Sequence, residues 1–187
     1  GVVYTEALGP AAYIGRCRVV PLRNTGSALA PHSAFLLLQG LETLSLRVER
    51  HAENAMALAS WLQEHPKVAS VSYPGLPDDP YHSRAKHYLT GRGMGCMLMF
   101  ALKGGFDDAV HFINGLKLAS HLANVGDAKT LIIHPATTTH SRIDAAALEA
   151  AGITEDMIRL SVGLEDVADI KADFDAGFRA ARRVAAD

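Results

Sequence analysis

Arg159 stands alone as a cation in the apolar run Met157-Ile158-Arg159-Leu160-Ser161-Val162. A guanidinium is always charged and costly to bury alone. It needs an anion, and its planar fork fits a carboxylate or phosphate through two parallel hydrogen bonds. The anion is either a ligand group or a nearby acid, for which Glu155, Asp156 and Glu165 are the candidates. Two other segments offer donors to an anion. Asn124-Val125-Gly126-Asp127 is a tight turn whose backbone amides suit a carboxylate, and it is equally a simple hairpin turn. Thr137, Thr138 and Thr139 are a run of hydroxyls that either face a ligand or bond their own backbone. His134 and His140 flank them and are of the type that serves as a general base near neutral pH. No Ser, Cys or carboxylate partner is identifiable for either. Gly91-Arg92-Gly93-Met94-Gly95 lacks the lysine of a phosphate loop and reads as a turn into a strand.

The elements that position these groups follow from punctuation and period. Pro10 opens a helical stretch through Ile14 and Cys17 that ends near Gly26. A second begins at Pro31-His32-Ser33, and no proline interrupts it before Pro66, with Gly40 the one weak point. At ~1.5 Å per residue it would be about 50 Å long, with Leu37, Leu41, Leu44, Val48, Ala52, Ala55, Ala59 and Leu62 along one face. From Val68 the period changes. Strands are expected at Val68–Tyr73, Met94–Leu102, Leu118–Ala123, Thr130–His134 and Met157–Val162. Helices are expected at Tyr81–Leu89, Phe106–Leu116, Ala145–Ala151 and from Asp166 to about Val184. The last has an acidic first turn and Arg179, Arg182 and Arg183 near its end, as the helix dipole favours. This order gives a small α/β layer with a mixed or antiparallel sheet.

Bulk properties narrow the class. The 187 residues are 49% hydrophobic and 20% charged, as in an ordinary globular chain. A net charge of -2 gives no reason to expect nucleic acid or an anionic membrane as a partner. No apolar run reaches the ~18 residues of a membrane span, and Gly1 to Glu6 do not have the form of a signal peptide. Cys17 and Cys96 are far apart and suit a reducing compartment. The nine histidines are scattered, with no zinc spacing, so no metal site is expected.

Several segments then occur in a telling order: Tyr4 to Pro10, Leu36 to Leu44, His65 to Val68, Tyr73 to Leu76, Asn124 to Leu131, His134 to His140, and Ile158 to Asp166. Together they resemble the pyridoxal-phosphate enzymes of cysteine and methionine metabolism, and within these the O-acetylhomoserine sulfhydrylase branch. That branch replaces the acetate of its substrate by sulfide or methanethiol, giving homocysteine or methionine. The resemblance implies a fold-type-I enzyme of methionine biosynthesis, cytoplasmic, a homotetramer built from active dimers. Residues 1–32 would be the end of the large cofactor domain, 33–65 the long linking helix, and 66–187 the C-terminal small α/β domain. By the same resemblance Arg159 binds the substrate α-carboxylate, Asn124 and Val125 lie against it, and Thr137, Thr138 and Thr139 form pocket wall. The family's Schiff-base lysine, three residues after a serine, has no counterpart here, because Lys67, Lys86, Lys103, Lys117, Lys129 and Lys171 stand in other contexts. The chain alone is therefore expected to bind no pyridoxal phosphate and to be inactive. Two other readings stay open: a non-catalytic assembly or amino-acid-binding module, and an O-succinylhomoserine sulfhydrylase or methionine γ-lyase relative.

Overall fold

Prolines and glycines set the breaks in the N-terminal part. The computed structural model describes residues 3–89, 91 and 93–181, and the chain divides into two units, Gly1–Thr43 and Leu44–Asp187. In the first unit, α1 (Tyr4–Leu8) leads through a 3-10 turn carrying Pro10 to α2 (Ala12–Cys17). A π turn, Arg18–Leu22, accommodates Pro21, and α3 (Arg23–Thr25) stops at Gly26. Then α4 (Pro31–Glu42) begins with its proline in the first turn, where a missing N–H costs nothing. No described residue of this unit is fully buried, and Phe35, Leu36, Leu37, Leu38 and Leu41 are all exposed.

The single long helix expected up to Pro66 is present as two. After α4, Thr43 takes φ −109° and ψ 8°, outside the helical well. The helix resumes as α5 (Leu44–Gln63). The break falls at a β-branched hydroxyl residue, a poor helix former, while Gly40 stays helical.

The second unit alternates strands and helices: β1 (Val68–Ser72), α6 (His82–Tyr88), β2 (Met97–Leu102), α7 (Gly105–Asn114), β3 (Ser120–His121), β4 (Leu131–Ile133), α8 (Ala145–Ala150), β5 (Met157–Ser161) and α9 (Val167–Ala180). The α/β order and the mixed sheet agree with expectation. Spatially the strands run β1-β2-β5-β4-β3, and all neighbours are antiparallel except β3 and β4. β1 carries a register shift between Val68 and Ser70. Parallel β3 and β4 rule out the hairpin reading of the Asn124 turn, since a two-residue turn joins only antiparallel strands. β3 is also shorter than expected. The Asp173 carboxylate takes the amides of Lys117, Leu118 and Ala119 at 2.8–3.0 Å, so these are spent on a side chain rather than on a neighbouring strand.

One sheet face makes the core. Ile158, Leu160 and Val162 meet Leu98, Phe100 and Leu102 beneath α5, α7 and α9, where Leu58, Leu62, Phe112, Phe174 and Phe178 are buried. Asp166 caps α9 by accepting from the Ala168 amide at 2.8 Å. Arg182 and Arg183, expected near its end, lie outside the described residues. Among the described residues no helix is long and apolar enough to cross a membrane.

Phe174 is fully buried against Phe100 and Phe112. Phe174→Ala should destabilise by about 3–5 kcal/mol, read by urea unfolding. At the end of α5, His65 stacks on Phe178 at 3.8 Å. Burial holds its pKa below the ordinary histidine value; Asp175 opposes this and Lys67 adds to it. The folded state thus prefers the neutral ring. Its contribution is present above the unfolded value of about 6.5 and is lost as pH falls through the lower folded value. Stability measured from about pH 7 downward should decline less steeply in His65→Gln than in the parent.

Candidate functional site

Pairing across the sheet places Ser72, Met99, Arg159 and Ile133 side by side on four adjacent strands. This row lies on the face opposite the core, because β-strand side chains alternate and Ile158 and Leu160 point into the core. Arg159 is half-buried. It lines a groove of about 400 Å³ with Ser72, Pro74, Asp79, Tyr81, Met97 and Met99. None of the acids named as possible partners pairs with it. The ion pairs within 4 Å among the described residues do not include Arg159. The Glu165 carboxylate is spent on Thr130, at 2.7 Å to its amide and 2.8 Å to its hydroxyl. Asp79 shares the groove, but its carboxylate accepts from the Tyr81 amide at 2.9 Å and the Ser72 hydroxyl at 3.4 Å.

The Asn124 turn is tied to the Arg159 strand. Ser161, two residues along β5 and on the same face, accepts the Gly126 amide on its hydroxyl at 3.3 Å. Gly126 has φ +72°, which a side chain would make strained. The Val125 amide donates to Asn124 Oδ1 at 2.9 Å, and the Val125 side chain is exposed. Below the turn the chain presses on the end of β5. A Cβ on Gly163 would meet Thr130 N at 2.4 Å, so no other residue fits without moving backbone. Behind it, Asn54 of α5 donates to the carbonyls of Gly163 and Glu165 at 3.0 and 2.8 Å, and His51 Nδ1 donates to that of Val162 at 2.7 Å.

The threonine loop is organised around His134, not around Arg159. His134 Nε2 faces the Glu155 carbonyl at 2.6 Å, which only accepts, so that nitrogen carries the proton. Nδ1 then accepts from the Thr137 hydroxyl at 2.9 Å, and the Thr138 hydroxyl donates to the His134 carbonyl at 2.7 Å. Both ring nitrogens are thus engaged, Nε2 as donor and Nδ1 as acceptor. Thr139 is exposed and bonds His140 Nδ1 at 2.8 Å. None of the three threonines lines the groove.

Of the residues named from sequence, only Arg159 lines the groove; the turn of Asn124 and Val125 is tied to the Arg159 strand through Gly126 and Ser161, and the threonines lie outside the groove. Asp79, Tyr81, Thr130 and Ser161 carry no site signal in the sequence, and Glu165 signals only as a candidate ion-pair partner of Arg159. Their signal is long-range, and spacing along the chain carries none of it. No lysine lines the groove, and Lys67 and Lys103 are bonded to the Phe178 and Pro66 carbonyls. Contrary to the sequence reading, Lys86 on α6 does stand three residues after a serine, Ser83, but Lys86 is exposed and lies outside the groove. His134→Asn should cost about 1–3 kcal/mol of stability in denaturant unfolding, through its two buried bonds, and leave ligand affinity at Arg159 unchanged.

Residues 2–179 match the family model described as Cys/Met metabolism PLP-dependent enzyme. An O-acetyl-L-homoserine sulfhydrylase 1 from Thermus thermophilus is 54% identical over 173 residues, covering 92% of this chain and 41% of the relative. A homocysteine synthase from Schizosaccharomyces pombe is 54% identical over 174 residues, covering 93% and 40%. A crystal structure from Campylobacter jejuni, described as an O-acetylhomoserine (thiol)-lyase holding a pyridoxyl-lysine monophosphate, superposes with a TM-score of 0.84. It is 42% identical, with 91% of this chain and 40% of that one covered. The chain thus spans about two fifths of the length of these relatives.

Proposed function

Because the chain belongs to the Cys/Met metabolism PLP-dependent enzyme family, we propose that it is part of an O-acetylhomoserine sulfhydrylase. In this reading the enzyme exchanges the acetate of O-acetyl-L-homoserine for sulfide or methanethiol, with homocysteine or methionine and acetate as products. Pyridoxal phosphate, when bound to the whole enzyme, supplies the electron sink for that chemistry. The residues of this chain supply a place to hold the substrate. One observation carries the reading: a half-buried arginine on an open sheet face, with no acid paired to it among the described residues, beside a turn tied to its own strand.

Arg159 takes the α-carboxylate through both arms of its fork. A carboxylate oxygen replaces Asn124 Oδ1 as the acceptor of the Val125 N–H. The Asn124 side chain holds that donor until substrate arrives, so no backbone need move. Thr137, Thr138 and Thr139 would bound the pocket without a role in a chemical step. Residues 1–32 would complete the large domain, 33–65 link the domains, and 66–187 form the small one. The exposed Phe35, Leu36, Leu37, Leu38 and Leu41 of α4 favour burial against more protein, in a homotetramer of active dimers. Both cysteines are free thiols, which suits a cytoplasmic enzyme. The chain alone would bind no pyridoxal phosphate and show no turnover.

The test uses the full-length holoenzyme. Lys keeps the charge of Arg159 but not the fork. Losing charge-assisted bonds worth about 1.5–3 kcal/mol should raise the KM for O-acetylhomoserine about 10- to 150-fold in Arg159→Lys. The KM for sulfide should stay within about twofold, since sulfide has no carboxylate for this site. An unchanged KM for the amino-acid substrate would sink the reading.

A further inference from the structure

The two halves of the proposed carboxylate site come from different parts of the chain. Arg159 is on β5, whereas the donor turn lies in the segment between β3 and β4. Something must hold the turn in register with β5 if the Val125 amide is to be handed to a ligand. Two side chains cross between them at the same offset: Ser161 reaches Gly126, and Glu165 reaches Thr130, each 35 residues apart in sequence. The Ser161 tie is a single bond at 3.3 Å. The Glu165 tie is double and shorter, with Oε1 accepting the Thr130 N–H at 2.7 Å and Oε2 accepting its O–H at 2.8 Å. Thr130 Oγ1 in turn accepts the Gly163 N–H at 2.9 Å, which closes a ring of bonds between the two segments. Thr130 is fully buried, so its groups have no competing water.

We propose that Glu165 is a positioning residue for substrate recognition: by clamping Thr130 it sets where the Asn124–Gly126 turn stands relative to Arg159. This deepens the carboxylate reading above and rests on it. Neither Glu165 nor Thr130 lines the groove with Arg159, so they act through the turn. The clamp makes the fork and the turn one rigid receptor, and a loosened turn weakens only ligands that use both. The mechanism is preorganisation, in which donors are already placed before the ligand arrives.

The experiment compares two ligands of the full-length holoenzyme by calorimetry. L-homoserine carries the α-carboxylate, and 3-aminopropan-1-ol is the same molecule without it. Their affinity ratio reads carboxylate recognition alone. Glu165→Gln and Thr130→Val should each lower that ratio by about two- to tenfold, the worth of a hydrogen bond, with the amine's own affinity unchanged. Thr130→Val keeps the side chain's volume and decides the matter if Glu165→Gln does not fold. An unchanged ratio in both variants, with Arg159→Lys lowering it, overturns the clamp and leaves the carboxylate reading intact. Equal weakening of both ligands, or failure of both variants to fold, also overturns it, because Glu165 is then a general stabiliser. A ratio that Arg159→Lys does not move removes the carboxylate site itself, and the clamp with it.

Discussion

The pleat of β5 governs the unit built around it. Ile158, Leu160 and Val162 are fully buried against the helix layer, and burying each such side chain is worth roughly 1.5–3 kcal/mol. Sliding the strand by one residue would exchange these for Arg159 and Ser161 and put a guanidinium into the core. The apolar residues therefore fix the direction of the arginine, although none of them touches the groove. A cation that looks misplaced in the linear sequence is where the alternation requires it to be, on the face the core leaves open.

Much of this was legible because apolar patterning is local. The five strands and four helices after Val68 were found by period and by Pro and Gly punctuation, and their order was right. What the pattern lacks is direction. Asn124 to Asp127 has turn chemistry whether the strands on either side run antiparallel or parallel, so the sequence alone reads as a hairpin. The deciding interactions are between residues distant in sequence: Asp173 on the amides of 117–119, and Glu165 on Thr130. The Thr43 break was missed for a related reason. Nothing in its neighbours forbids a helix, and a weak propensity decides only when packing does not.

The site shows the same division between local and distant information. Arg159 was legible because a charge within an apolar run violates its surroundings. The threonines were misleading in the opposite way. Their hydroxyls suggest a ligand, but a histidine three or four residues away satisfies Thr137 and Thr138. Short polar side chains bond what is nearest. Asp79 gave no signal in a loop already rich in proline and aspartate, and it enters the groove through the path of residues 73–81 between β1 and α6.

The sheet's two borders have a consequence for the chain's behaviour at high concentration. An unpaired strand edge is a template on which other chains can add, and proteins blunt such edges with bulges and short strands. Here one outer strand, β1, has its register broken between Val68 and Ser70, and the other, β3, is two residues long. Neither offers a long, flat row of free amides and carbonyls. The carboxylate of Asp173 that shortens β3 thus also removes three amides from the row an added strand would use.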